Sequence, residues 1–143
     1  MDNSGNIYTA NIGSNDVSRI APDGTSVIFG TTGSGPEDIT IDNSGNIYTA
    51  NLYSDSVSKI APDGTSVIFS TTGSYPYSIT VDSMNNVYTV NAQADNVSKI
   101  TPYGISTIIS TTGSHPLGIS MDISGNIYTA NSNTNDVTKI SPN

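Results

Sequence analysis

The 143-residue chain has no cysteine and no tryptophan. Without cysteine there is no disulfide framework and no thiolate metal site, and a thiol-free chain fits any redox compartment. Basic residues are scarce: four Lys and Arg stand against twelve Asp and Glu, for a formal charge of −8. A surface of that sign repels nucleic acid and anionic lipid, which removes both from the partner classes. No apolar run approaches the roughly 18 residues of a membrane-crossing helix. The opening, MDNSGNIYTA, lacks a basic n-region and an apolar h-region, so no signal peptide is read in it; a mature or excised piece looks the same. Leucine appears only at Leu52 and Leu117. What fills the chain is Ser, Thr, Asn, Gly, Ile, Val and Tyr, a palette of strands and turns rather than helices. The length suits one domain with its own core.

Stacked every 40 residues, the chain aligns with itself without a gap. Met1, Ile41, Val81 and Met121 open four rows, giving repeats 1–40, 41–80, 81–120 and a partial 121–143 in a single repeat domain, 1–143. The first two rows differ at ten of their 40 positions, the mark of recent amplification or deliberate construction. Period-2 patterns between turn residues divide a row into four strands. In the first complete unit, strand A is DITID (Asp38–Asp42), strand B NIYTAN (Asn46–Asn51), strand C SVSKIA (Ser56–Ala61) and strand D SVIFST (Ser66–Thr71). Four short strands at this period are the spacing of a β-propeller blade. A two-layer sandwich is the competing all-β answer, but it has no need of near-identical units at a fixed interval. The expected fold class is all-β: a propeller fragment of four-stranded antiparallel blades on a 40-residue repeat.

DNSGN separates strands A and B, and APDG separates C and D. Asp and Asn side chains bond their own backbone and Gly supplies a positive φ, so both read as tight turns. An EF-hand-type calcium loop needs more acidic ligands and a closing Glu, and none follows. Row three writes the first turn as DSMNN (Asp82–Asn86), where Asn takes the Gly place and tolerates the left-handed region. Tyr8, Tyr48, Tyr88 and Tyr128 recur in strand B and read as packing between blades. All four cations, Arg19, Lys59, Lys99 and Lys139, hold one position in strand C. They read as paired or snorkelling side chains, not as a phosphate site.

The stretch PYSITVDSMNNVYTVNAQADNVSKITPYG, Pro76–Gly104, resembles an NHL repeat: a Pro, an apolar strand, Asp, a turn, an apolar-Tyr strand, then Asn-x-Val-x-Lys. The rows are similar also to blades of the virginiamycin B lyase family, with a Pro-x-x-Ile start and an aromatic-x-Thr strand B. The resemblance covers essentially the whole chain and implies a propeller, a fold that hosts many functions. It implies for the lyases a seven-bladed enzyme using magnesium, a His just after the blade-opening Pro, and a Glu at the end of strand B. The matching positions here hold Glu37, Tyr77 and Leu117, and Asn11, Asn51, Asn91 and Asn131. Neither residue type is kept, and the single histidine, His115, precedes its Pro. Gluconolactonase-like propellers imply a central metal held by acidic and Asn side chains. Glu37 with the four Asn is the nearest match, and one carboxylate makes a poor divalent site.

Most differences between rows one and two fall in two loops: Ile12–Asp16 against Leu52–Ser56, and Gly30–Asp38 against Ser70–Ser78. In a propeller these loops share one face, while the turns of the other face are unchanged. Loops on a rigid scaffold are where binding lives, although neutral drift on exposed loops leaves the same trace. The candidate binding residues are Glu37, Asp38, Tyr53, Tyr75, Tyr77 and His115. No catalytic residue, metal ligand or cofactor is assigned, and no Ser–His–Asp arrangement follows from spacing.

Read along the chain, the strands run B-C-D, A-B-C-D, A-B-C-D, A-B-C. That is about three and a half blades, short of the roughly four to eight of closed propellers. Open blade faces expose apolar surface and open edges invite pairing, so the expected partner is a second copy in a homodimer. Two copies hold roughly the twenty-eight strands of seven four-stranded blades, though with more B and C than A and D strands. The expected function is a self-assembling scaffold or binding module without catalytic activity, with a small molecule or carbohydrate as ligand. The alternative is a metal-dependent lyase- or lactonase-like enzyme whose site forms at the axis of the assembled ring.

Overall fold

Short β-branched and aromatic runs, cut by Asp-, Gly- and Pro-bearing turns, fold as strands of five or six residues throughout the computed structural model, which describes residues 1–142. The first sheet contains β1 (Ile7–Asn11), β2 (Asp16–Ile20) and β3 (Ser26–Thr31). The second contains β4 (Pro36–Ile41), β5 (Ile47–Asn51), β6 (Ser56–Ile60) and β7 (Ser66–Thr71). The third contains β8 (Pro76–Val81), β9 (Val87–Asn91), β10 (Asn96–Ile100) and β11 (Ser106–Thr111). The fourth contains β12 (Pro116–Met121), β13 (Ile127–Asn131) and β14 (Asp136–Ile140). Each sheet is an antiparallel meander and forms one blade. The A strands β4, β8 and β12 lie side by side, so the blades follow one another along an open arc.

The core lies in the three seams between blades, and each seam repeats the same formula. Tyr8, Val17 and Phe29 of the first blade meet Ile39, Ile41, Ile47 and Ile60 of the second. Tyr48, Ala50, Val57 and Phe69 then meet Ile79, Val81, Val87 and Ile100. Tyr88, Val90 and Val97 meet Ile119, Met121, Ile127 and Ile140. A bulge makes this possible. Val17 pairs with Gly30 and Ser18 with Ile28, which leaves Phe29 as the extra residue of β3. Phe69 and Ile109 occupy the same bulged place. A bulge bends its strand and re-aims a side chain, here into the seam. Where Phe29 and Phe69 fill the first two seams, the smaller Ile109 borders a groove of about 740 Å³ with Met84, Tyr88, Lys99, Met121 and Ile140.

The recurring cations sit over rings. Arg19 lies 5.1 Å from the centre of Phe29, and Lys59 lies 5.6 Å from Tyr48 and 5.5 Å from Phe69. Lys99 and Lys139 cover Tyr88 and Tyr128 at 5.7 and 5.8 Å. The charge thus stays at the surface while its stem and the ring face cover each other.

The DNSGN turns are fastened by their first residue. Asp42 Oδ1 accepts from the backbone N–H of Ser44 and of Asn46, both at 2.9 Å. Its Oδ2 accepts from Asn46 Nδ2 at 2.8 Å and from the Tyr48 hydroxyl at 3.1 Å. Asp2, Asp82 and Asp122 make the same four bonds. Gly45 and Asn85 take the left-handed conformation here, at φ 81° and 62°. Burial, and then the adjacent Asp charge, push the Tyr48 and Tyr88 hydroxyls well above the usual tyrosine range. With four donors on each carboxylate, these turns have no lone pairs left for a calcium ion.

Candidate functional site

Both variable loops lie on one face, stitched to each other by backbone. Thr32 N–H donates to Asn15 O at 2.9 Å, within the first blade. Leu52 N–H donates to Gly35 O at 2.7 Å and Tyr53 N–H to Ser34 O at 3.1 Å, across the seam. The pattern returns 40 residues on, with Thr72 on Asp55 and Ala92 on Tyr75, and again with Thr112 on Asp95 and Ser132 on His115. Each D–A loop is therefore tied to the B–C loops of two blades.

Beneath these loops lies a row of buried amides at the ends of the B strands. Asn51 is fully buried. Its Oδ1 accepts from Thr49 Oγ1 at 2.8 Å, and its Nδ2 donates to Ser56 Oγ at 3.1 Å and Ser58 Oγ at 2.9 Å. Ser58 in turn accepts the Gly33 N–H of the preceding loop at 2.9 Å. Asn91 and Asn131 build the same hub with Thr89, Asn96 and Ser98, and with Thr129, Asp136 and Thr138. Only glycine fits over it: a Cβ at Gly73 would stand 2.7 Å from Asn91 Nδ2. These amides are held inside the scaffold, with donor and acceptor both engaged.

Glu37, Tyr77 and Leu117 are the extra residues of a second set of bulges. Pro36 pairs with Asn51 and Asp38 with Ala50, and the skip recurs at Pro76/Ser78 and Pro116/Gly118. Glu37 and Tyr77 face each other across the seam. The Glu37 charge, then burial, raises the Tyr77 hydroxyl above its ordinary value. Asp38 is a cross-seam fastener: its Oδ2 accepts from Ser78 Oγ at 2.7 Å and Ile79 N–H at 2.9 Å, and its Oδ1 from Ile39 N–H at 2.8 Å. Ser78 and Gly118, which follow at this position, have no carboxylate to repeat the contact at the next seam.

Tyr53 and Tyr75 form an edge-to-face pair with ring centres 6.4 Å apart, and they are 62% and 41% exposed. Tyr53 lies directly over Gly35. His115 stands one seam further on, apart from this pair; its N–H donates to Asp95 Oδ1 at 2.7 Å. The backbone here is unusual. Gly35, Tyr75 and His115 all precede a Pro, at φ 69°, 57° and 56°. Glycine takes that conformation freely, but an L side chain does not. Tyr75 and His115 are held there from both sides. The carboxylates of Asp55 and Asp95 accept their N–H groups, and their carbonyls accept from Ala92 and Ser132. Tyr75→Gly and His115→Gly are each expected to raise the unfolding free energy by about 1 kcal/mol through relief of this strain. Urea denaturation followed by circular dichroism checks both.

The residues present do not suit a divalent ion. Among the described residues, no three His, Asp or Glu side chains converge. Glu37 contributes one carboxylate, and the four strand-end amides are committed to their Thr neighbours and to side chains of strand C. Magnesium, implied by the lyase resemblance, therefore has no ligand set among the described residues.

Comparison with known proteins gives the geometry its relatives. The model of the virginiamycin B lyase family matches residues 1–143. No curated protein matches the chain. A streptogramin B lyase structure superposes with a TM-score of 0.78 at 21% identity, over 98% of this chain and 52% of its own. A catalytically inactive variant of virginiamycin B lyase from Staphylococcus aureus, solved with quinupristin, gives 0.79 at 23%, over 98% and 53%. The selenomethionine form of the Staphylococcus aureus lyase gives 0.74 at 22%, over 99% and 53%. The chain thus spans about half the length of these solved structures. With blades, strand order and the whole-length match in agreement, the chain belongs to the virginiamycin B lyase family.

Proposed function

We propose that this chain is a non-catalytic binding module, a propeller segment whose loop face takes an uncharged small molecule or carbohydrate. One observation carries the reading. At the two positions following Gly35 in the repeat, Tyr75 and His115 hold exposed rings on left-handed backbone. Strain of this kind persists where the side chain, not the backbone, is what the position serves. The Tyr53–Tyr75 corner offers ring faces for stacking, and Gln93, Glu37 and the Tyr77 hydroxyl offer hydrogen bonds beside it. Six of the twelve carboxylates belong to this face (Asp16, Glu37, Asp38, Asp55, Asp95 and Asp136), which disfavours an anionic ligand.

The test is an NMR titration with neutral mono- and disaccharides. Shifts confined to Tyr53, Tyr75, Gln93, Glu37 and Tyr77, and lost in Tyr75→Gly, support the module; no movement with any sugar overturns the carbohydrate form of it. The family match favours one other reading, a metal-dependent lyase- or lactonase-like enzyme. Melting curves with magnesium, calcium and zinc separate the two, because a ligand that binds only the native state raises the melting temperature. A clear rise with one ion favours the enzyme; flat responses favour the module.

A further inference from the structure

The repeat formula of the seams has two unmatched ends. Val17, Val57 and Val97 face the next blade and are 0% exposed, whereas Val137, their equivalent in the fourth blade, is 65% exposed. Ile47, Val87 and Ile127 face the preceding blade at 0%, 0% and 4%, whereas Ile7, their equivalent in the first, is 50% exposed. The forward face of the fourth blade thus presents Tyr128, Ala130 and Val137, the side-chain types that Tyr48, Ala50 and Val57 bring to an internal seam. The backward face of the first presents Ile7 and Ile20, matching the Ile47 and Ile60 that cover such a face inside the chain.

We propose that these two faces bind each other between copies, the fourth blade of one chain packing on the first blade of a second. This inference does not rest on the loop-face reading. The contact is heterologous, so two copies make two identical junctions and close a ring if the rotation fits. Two copies of four sheets give eight blades, within the size range of closed propellers. Each junction carries the B- and C-strand part of a seam without the Phe of strand D or the Ile pair of strand A. The association is therefore weaker than an internal seam and depends on concentration.

Ile7→Asp and Val137→Asp test it, each placing a charge on one face only. Both positions are exposed in the single chain, so each variant is expected to keep the parent circular dichroism spectrum. Sedimentation velocity should give twice the chain mass for the parent protein and the single-chain mass for each variant. An equimolar mixture should show more doubled mass than either variant alone, because the Val137 face of the Ile7→Asp chain meets the Ile7 face of the Val137→Asp chain in one intact junction, while the second junction carries both Asp side chains. A parent protein that stays at single-chain mass at every concentration overturns the proposal, as does a variant that still doubles by itself. A mass that grows without limit overturns the closed ring.

Discussion

Asn51→Ala is expected to lower the unfolding free energy by about 3 kcal/mol, through a lost buried amide and the hydroxyls it leaves without partners. Thr49, Ser56 and Ser58 all bond to this side chain, and Ser58 also holds the Gly33 N–H of the preceding blade. The damage therefore reaches across a seam as well as along a strand. Asn11→Ala is the internal control. Asn11 makes the same kind of bonds to Thr9, Asp16 and Ser18, but it is only half-buried. Its expected loss is about 1 kcal/mol, since water can reach the groups it leaves. Urea midpoints for the two variants decide the matter: equal losses would mean the hub contributes nothing beyond its own strand.

The second large effect belongs to Asp42→Ala. Four hydrogen bonds converge on this buried carboxylate, one of them from a hydroxyl inside the seam. Removing it strands two backbone N–H groups, an amide and a phenol, and the expected loss is about 3 kcal/mol. Asp42→Asn should cost less, because its Oδ1 still accepts from the backbone. The sister carboxylates set the acid limit. Asp2 is lowered to about 2, chiefly by its Asn6 amide, and Asp122 is lowered chiefly by Asn126. A carboxyl with a lower pKa folded than unfolded adds stability above its unfolded value, and that contribution disappears as pH falls through the folded one. Melting temperatures should hold from neutral pH to about 4 and fall from there toward 2.

The strands were legible because turn chemistry and alternation agree in every row. The predicted strand D, Ser66–Thr71, has the observed limits, and strands A to C are off by two residues at most. Asn85 takes the left-handed place that Gly45 holds, as the row alignment implies. The bulges were not legible. In SVIFGT three apolar residues run together, and nothing in those letters says that Phe29 is the one skipped by the ladder. Asp38 reads as a free loop carboxylate, because its partners Ser78 and Ile79 lie one repeat away in a different sheet. The strand-end asparagines read as replacements for an acid, yet the hub was within reach. Thr two residues before and Ser seven after recur with Asn11, Asn51 and Asn91, and only a change to Thr138 breaks the pattern. Tyr75 and His115 hide a left-handed residue that Gly35, in the same column, announces.

The stitching of the loop face bears on how this protein can change. Thr32 N–H bonds to the Asn15 carbonyl on one side and the Gly35 carbonyl accepts from Leu52 N–H on the other, both through backbone atoms, and the next two loops repeat this. Adding or deleting one residue in either loop would pull several of these bonds out of step, on two blades together. Exchanging a side chain leaves them in place. Loop length is thereby frozen while the side chains away from the Gly33, Gly73 and Gly113 places can change, the reverse of the usual tolerance of surface loops for insertions. That is a physical reason for rows that stay 40 residues long although rows one and two differ mostly in these loops.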